Sequence, residues 1–477
     1  MASSLDSRRL VAGLCATALS ALAYGFGTGL DPLPWLTWLV PLPLALLAPH
    51  LKARWLALAA FAAGALGALN QWHYLHGVIG LPAPVIAVFT AVPGVLLALC
   101  LLLFRRLLRR GRGIAAMLAM PALWVAVEYV NTQTSPHGTF GSLAYSQMDM
   151  LPVLQLASVT GLWGISFLLL LVPAGLAVAL MRRVPSPTRL AAVAILVLSM
   201  GATLAYGYAR LHAPATESVK VGLASMEKPI RPGLSTPEGQ ALLDRYLAAI
   251  DRLAAGGATI IVTPETNFAT GETSVPAFAD AARRHNVTVA AGIDAKGGAD
   301  GERNALWIFR PALQSPATYA KHHLIPGFEN QYKPGSTYTM LDGSPRIGLA
   351  VCKDMDFHDI GRAYADRQAQ LLLVPAWDFG ADGWLHGRMG IMRGVESGFA
   401  IARAARAGRL TLSDDRGRVV AEASSEQHDA ELVGELPLHA SRTFYAQWGD
   451  WFAWADLALL AILLVWAFLV PPRSTSI

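Results

Sequence analysis

Long apolar stretches fill most of the chain before about residue 210 and return near its end, while the region between them alternates short apolar runs with amphipathic ones. Stretches of about 17 to 25 apolar residues cross a bilayer as helices. They run over residues 10–29, 35–49, 55–74, 81–104, 113–130, 153–181, 190–208 and 451–470, which predicts about eight spans. The second is short and rich in proline, and the fifth contains Glu128. A carboxylate is expensive in lipid, but Glu128 lies near the outer end of its span, just before Asn131, and is read as structural.

Between the spans the period changes. Residues 219–225 and 259–262 read as strands, and 237–253 as an amphipathic helix with Leu242, Leu243, Tyr246, Leu247, Ile250 and Leu253 on one face. A helix over 276–285 and a strand over 288–293 repeat the unit. After the apolar run Ile347-Gly348-Leu349-Ala350-Val351 come a helix over 359–368, a strand over 371–374, a helix over 386–397 and a hairpin, 410–413 and 418–423, that turns at Asp414-Asp415-Arg416-Gly417. Strands alternating with helices indicate an α/β domain. The expected organisation is a multi-span α-helical membrane domain over 1–211, an extramembrane α/β domain over 212–447, and a last span with its tail over 448–477. Repeats, heptads and low-complexity tracts are absent.

Composition agrees: of 477 residues 54% are hydrophobic and 15% charged, too apolar a balance for a soluble protein. Short cytoplasmic loops collect Lys and Arg. If the first end is cytoplasmic, one set of loops holds Arg8 and Arg9, Lys52 and Arg54, Arg105 to Arg112, Arg182, Arg183 and Arg189, and finally Arg473, whereas 31–33, 75–80 and 131–152 hold none. That asymmetry puts the α/β domain on the non-cytoplasmic side. The net charge of +5 is then a topology signal, and no nucleic-acid partner is expected. Ser7-Arg8-Arg9 before an apolar run also suits a cleaved leader, but further spans follow at once and an uncleaved first helix explains the same charges. Of the three cysteines, Cys15 and Cys100 lie inside spans, and only Cys352 lies outside them.

Cys352 ends its apolar run and opens the turn Cys352-Lys353-Asp354. A lone cysteine at a strand end is more often a small core residue. Here Ile260-Ile261-Val262-Thr263-Pro264-Glu265 delivers a carboxylate and Tyr319-Ala320-Lys321 an amine in the same manner, and the three together suggest covalent catalysis. A thiol is mostly protonated at neutral pH, so Glu265 is assigned as general base. Lys321 is assigned to the oxyanion that forms when the thiolate attacks a carbonyl. His322 and His323 invite a metal, but no third ligand stands at suitable spacing, so no metal or cofactor is expected. Lys353 is close enough in sequence to lower the Cys352 pKa, although a neighbouring side chain can point away. Arg393 and Glu396, one helical turn apart, read as an ion pair supporting the site. Trp377, Phe379 and Trp384 are candidates for a lipid-lined entrance or, equally, for interfacial anchors.

Pro264-Glu265, the Lys321 segment, strand-ending Cys352 and Met392-Arg393-Gly394-Val395-Glu396 are similar to the nitrilase, or carbon–nitrogen hydrolase, superfamily with its Glu-Lys-Cys triad and αββα sandwich. Spans on both sides of such a domain resemble the bacterial apolipoprotein N-acyltransferase branch. So do Ala144-Tyr145-Ser146-Gln147, the run from Leu154 to Phe167, and Lys321-His322-His323-Leu324-Ile325-Pro326 with Glu329 eight residues on, which looks like the branch's second glutamate. The resemblance implies that a fatty acyl chain passes from phospholipid through a Cys352 thioester to the amino group of a diacylglyceryl-modified lipoprotein, in a bacterial inner membrane, by a monomer. Acyl chains transfer poorly through water, at about 0.8 kcal/mol per CH₂, which suits a site tied to the bilayer. This chain has Thr263-Pro264-Glu265, Pro326-Gly327-Phe328-Glu329-Asn330 and Cys352-Lys353-Asp354 where the branch usually has Trp-Pro-Glu, Pro-Phe-Gly-Glu-Tyr and Cys-Tyr-Glu. These changes favour, as alternatives, a membrane-bound amidase or a transferase acting on a different amine. An inactive scaffold is the remaining reading, and the intact triad opposes it.

Overall fold

The computed structural model describes residues 2–298, 301–439 and 442–472, with only the backbone of residues 2–9. Arg473 of the charge pattern lies outside the described residues, as do the side chains of Arg8 and Arg9. The chain divides into two compact units, one of Met1–Thr134, Gly141–Leu211 and Asp450–Ile477, the other of Ser135–Phe140 and His212–Gly449.

The first unit is helical. Among the described residues seven helices are long and apolar enough to cross a membrane: Leu10–Gly27, Ala53–Gln71, Ala83–Arg109, Gly113–Thr134, Leu162–Leu180, Ser186–Leu211 and Trp451–Phe468. The second of the eight expected stretches forms no single long helix but two short ones, Pro34–Thr37 and Leu42–Leu47. Its prolines explain the break, because each removes a backbone donor and restricts the residue before it. The sixth stretch also begins later than expected. Gly161, at φ 66, separates the short helices Leu151–Leu154 and Ala157–Thr160 from the span Leu162–Leu180. Helices Ala53–Gly67 and Ala83–Arg109 cross where Gly64 meets Gly94, and a Cβ on Gly64 would lie 2.7 Å from the Gly94 Cα. Small residues permit such approaches in apolar bundles. Glu128 is half-buried and held in local hydrogen bonds, its Oε1 accepting from Trp124 Nε1 at 2.9 Å and Leu143 N at 2.9 Å, and its Oε2 from Ser142 Oγ at 3.2 Å.

Among the described residues the second unit holds thirteen strands, in chain order β1 (Glu217–Ser225), β2 (Ile260–Val262), β3 (Phe268–Thr270), β4 (Thr288–Ala295), β5 (Arg303–Phe309), β6 (Ala317–Ala320), β7 (Met340–Leu341), β8 (Ile347–Leu349), β9 (Leu371–Trp377), β10 (Ala400–Arg406), β11 (Arg409–Ser413), β12 (Val419–Ser424) and β13 (Ala430–Leu438). They form two sheets, β13-β1-β2-β4-β5-β6 with β3 on β4, and β12-β11-β10-β9-β8-β7. The central strands of each sheet are parallel: β1, β2 and β4 in one, and β8, β9 and β10 in the other.

Alternation along the strands builds the layers. Val221 and Leu223 of β1, Val262 of β2, Leu349 of β8, and Leu371 and Leu373 of β9 form the core between the sheets. The opposite face of the first sheet, with Ala224, Ile261, Val289 and Ala291, packs with Leu242, Tyr246, Ile250 and Phe278 of helices Pro237–Ala255 and Pro276–His285. The opposite face of the second, with Leu372, Val374 and Ile401, packs with Ile360 and Tyr364 of helix His358–Asp366. Because both faces of β2 and β9 are buried, they read as unbroken apolar runs. Helix Pro237–Ala255 starts where Thr236 Oγ1 accepts from Gly239 N at 3.1 Å, with proline in its first turn. The result is an αββα sandwich.

Candidate active site

Three turns at strand ends converge. After β2 the chain turns through Thr263-Pro264-Glu265 against Gly292 of β4, where a Cβ would lie 2.3 Å from the Pro264 carbonyl oxygen. Glu265 N also donates to Ala376 O of β9 at 3.3 Å, which ties this turn to the other sheet. Lys321 follows β6, and its backbone N donates to Asn304 O of β5 at 2.9 Å. Cys352 opens a short helical turn after β8 at φ 45, and Thr266 beside Glu265 takes φ 46. Non-glycine residues seldom adopt such left-handed angles, so the side chains of Cys352 and Glu265 are delivered from or beside strained turns.

Glu265, Lys321 and Glu329 are all buried. Lys321 Nζ donates to Glu265 Oε1 at 2.7 Å and lies 2.9 Å from Glu329 Oε2. Asn304 Nδ2 donates to Glu265 Oε1 at 2.5 Å and to Glu329 Oε1 at 2.6 Å. Ile325 N donates to Glu329 Oε2 at 2.7 Å. Two carboxylates thus share one ammonium and one neutral amide. Cys352 Sγ faces Trp377 O at 3.7 Å, a weak bond that suits a protonated thiol.

The electrostatics divide the roles. Burial raises the Cys352 pKa well above the ordinary thiol value and Glu265 adds to this, while Lys321 and Arg403 pull it back. Burial also raises Glu265, with Lys321 opposing and Glu329 adding. In Glu329 burial pushes up too, but Lys321 and the Ile325 N–H outweigh it and the pKa falls. Burial disfavours charge on Lys321, yet Glu265, the thiol and Glu329 hold it well above its usual value. At rest the thiol carries its proton, Glu329 and Lys321 are charged, and Glu265 is the carboxylate whose affinity for a proton is enhanced.

Several residues that support the site carry no obvious sequence signal. Asn304 is one polar position in an apolar strand, and Asp354 looks like an ordinary turn residue. Asp354 Oδ1 accepts from His322 N at 3.0 Å and His323 N at 2.8 Å, while its Oδ2 accepts from Val351 N at 3.0 Å and the Tyr319 hydroxyl at 2.8 Å. It fastens the Lys321 segment to the Cys352 turn. Asp378, after β9, is gripped by Arg403 of β10. The only hint for that pair is charge inside apolar runs.

The remaining candidates make the following contacts. Arg393 and Glu396 are buried and paired at 3.0 Å on helix Gly383–Ser397, where Glu396 O accepts from Thr443 and Arg393 faces Gly361. Lys353 turns away from the thiol, pairing with Asp356 at 3.2 Å and reaching His137 Nδ1 at 3.4 Å. Phe379 meets Phe328 edge-on at 5.3 Å, and Trp384 is buried with the Arg388 guanidinium 5.3 Å from its ring. His322 Nε2 lies 3.2 Å from Thr337 O, and His323 stacks on Phe357. Among the described residues no group of three or more His, Cys, Asp or Glu side chains is arranged to hold a metal ion.

Residues 20–175 match the family described as apolipoprotein N-acyltransferase N-terminal domain, and residues 221–444 match carbon–nitrogen hydrolase. The apolipoprotein N-acyltransferase of Geobacter metallireducens is 30% identical over 406 residues, 76% of each chain. That of Chlorobaculum tepidum is 25% identical over 503 residues, 91% of each. Among solved structures, an amidase from Nesterenkonia sp. aligns with a TM-score of 0.42 and 24% identity, over 48% of this chain and 92% of that one.

Proposed function

Because the chain belongs to the apolipoprotein N-acyltransferase family, we propose that it moves a fatty acyl chain from a phospholipid to the α-amino group of a diacylglyceryl-cysteine on a lipoprotein, with Glu265, Lys321 and Cys352 as its catalytic residues. The observation that carries this reading is the buried pairing of Glu265 with Lys321 at 2.7 Å, with both charges acting on the Cys352 thiol.

The chemistry runs in two halves. Glu265 takes the Cys352 proton, and the thiolate attacks the ester carbonyl, whose oxygen becomes an oxyanion facing the Lys321 ammonium. The carbon–oxygen ester bond breaks, the glycerol oxygen takes the proton back from Glu265, and a lysophospholipid leaves an acyl-thioester behind. The acceptor amine then attacks that thioester while Glu265 removes its proton. The carbon–sulfur bond breaks, the amide leaves and the thiol is restored, which makes a ping-pong cycle. Asn304 and Glu329 position Lys321 and Glu265 throughout. In this reading the segment 212–447 is the catalytic domain.

The protein is multi-pass. The lysine and arginine asymmetry of its loops supports an inner-membrane location with the catalytic unit on the periplasmic side. For Lys52 and Arg54 to share a side with the first end of the chain, the short helices Pro34–Thr37 and Leu42–Leu47 cross together.

A single-turnover assay tests the proposal. The protein is loaded from phospholipid, freed of lipid, and given a diacylated lipopeptide, a small primary amine or buffer. Discharge confined to the lipopeptide supports N-acylation of lipoproteins. Discharge by buffer makes the protein a hydrolase, and preference for the small amine makes it a transferase with a different acceptor.

A further inference from the structure

Trp377 stands between the reactive thiol and a group of cations. Its carbonyl oxygen faces Cys352 Sγ, while Arg406, Lys228 and Arg231 lie 4.5, 5.4 and 5.8 Å from the centroid of its ring. A ring quadrupole attracts a cation but does not neutralise three. Nearby carboxylates do not balance the group either. Glu227, whose side chain is 49% exposed, stays 3.7 Å from Arg406 Nη2, and Glu265 is committed to Lys321 and Asn304.

The donors are left open as well. Lys228 Nζ donates to Thr266 O at 2.9 Å, and Arg406 Nη2 to Lys228 O at 2.6 Å. Arg406 is 8% exposed, yet its Nε and Nη1, like the Nε of Arg231, are buried with no hydrogen-bond partner among the described residues. Unmade bonds of buried guanidinium groups are costly. Burial, followed by Arg406 and Arg231, holds Lys228 down to about 7 against the pull of Glu265 and Glu227, as befits an ammonium short of counter-charge. Arg231 is held at φ 47 with Tyr332 under its guanidinium at 5.3 Å, and Ile230 beside it is 71% exposed.

We propose that Lys228, Arg231 and Arg406 form an anion subsite that takes the phosphodiester of the phospholipid acyl donor, an inference that rests on the donor reading above. Planar guanidinium groups with free N–H match phosphate oxygens. In a glycerophospholipid the phosphate and the ester carbonyls hang from one glycerol. Fixing the phosphate at the ring of Trp377 therefore directs an ester toward the thiol at its carbonyl, and exposed Ile230 gives the lipid an apolar neighbour.

The test uses the full-length protein in detergent and follows acyl-Cys352 by mass spectrometry, with phosphatidylglycerol or phosphate-free diacylglycerol as donor. Unaltered protein should load faster from the phospholipid. Arg406→Gln should lower the phospholipid-to-diacylglycerol ratio of kcat/KM about tenfold, chiefly through KM, since a bond to a charged group is lost. Arg231→Ala, on a half-buried loop, should shift the ratio the same way even if Arg406→Gln folds poorly. Millimolar inorganic phosphate should compete with phospholipid and spare diacylglycerol. An unchanged ratio in both variants overturns the subsite, and phosphate binding without any preference for phospholipid assigns the cluster to free phosphate and overturns its donor role. If unaltered protein loads from neither donor, the acyl-enzyme reading falls and the subsite falls with it.

Discussion

Asn304 Nδ2 lies 2.5 Å from Glu265 Oε1, and the same amide nitrogen reaches Glu329 Oε1 at 2.6 Å. A neutral amide thus spans the two carboxylates that Lys321 alone cannot neutralise, and its bond to Glu265 favours the ionised form.

The pH dependence of loading follows. Under the proposed mechanism Glu265 must be ionised to accept the thiol proton, and its pKa is raised, so acylation of Cys352 should fall as pH drops through an apparent value above the ordinary glutamate range. Asn304→Leu removes a bond to the charged form and should move this acid limb to higher pH. Rates of thioester formation across pH decide it, and a limb that stays put or moves lower contradicts the assignment.

Substitutions at the reactive groups should separate chemistry from folding. Incubation with phospholipid should add one acyl mass to Cys352, Cys352→Ala should abolish that adduct, and Glu265→Gln should slow loading by about 10²- to 10⁴-fold. Circular dichroism should show both variants folded. Full turnover by Cys352→Ala would sink the mechanism.

Asp354 should matter for stability and rate together. Asp354→Ala leaves four donors, His322 N, His323 N, Val351 N and the Tyr319 hydroxyl, without their acceptor, and should cost about 2–4 kcal/mol. Denaturant melts and loading rates of Asp354→Ala and Asp354→Asn would measure it. Equal stability of all three proteins would show that this carboxylate does not fasten the turns.

Topology provides a separate check. A reporter fused after Ile477 should be cytoplasmic and one inserted near Glu302 should be outside, by the asymmetry of loop arginines. Both on one side would refute the proposed orientation.

Glu265, Lys321 and Cys352 were readable as candidates because each ends an apolar run, and the chain announces where such a run stops. Asn304 was not, since a single amide in β5 is indistinguishable from an ordinary polar position until β6 and the Glu329 loop close over it. The pairing of β13 with β1, from Glu217 with Leu438 to Ser225 with Ala430, joins residues about two hundred positions apart and leaves no local trace. The alternation that hides β13 is weak, with Glu431 and Glu435 along it. In the helical unit the length of an apolar stretch was informative, but its interruptions at Pro41, Pro43 and Gly161 decide where helices begin.

β8 and β9 run in parallel register, Leu349 opposite Leu373; β9 ends at Trp377, and Cys352 follows three residues after the end of β8, its Sγ facing the Trp377 carbonyl. Loss of one residue from 347–351 would exchange the side chains facing the sandwich core with those facing the helices, and would swing the thiol away from Glu265. This stretch therefore tolerates exchange of one apolar side chain for another far better than any change in its length, and across descendants its spacing to Cys352 should outlast its spelling.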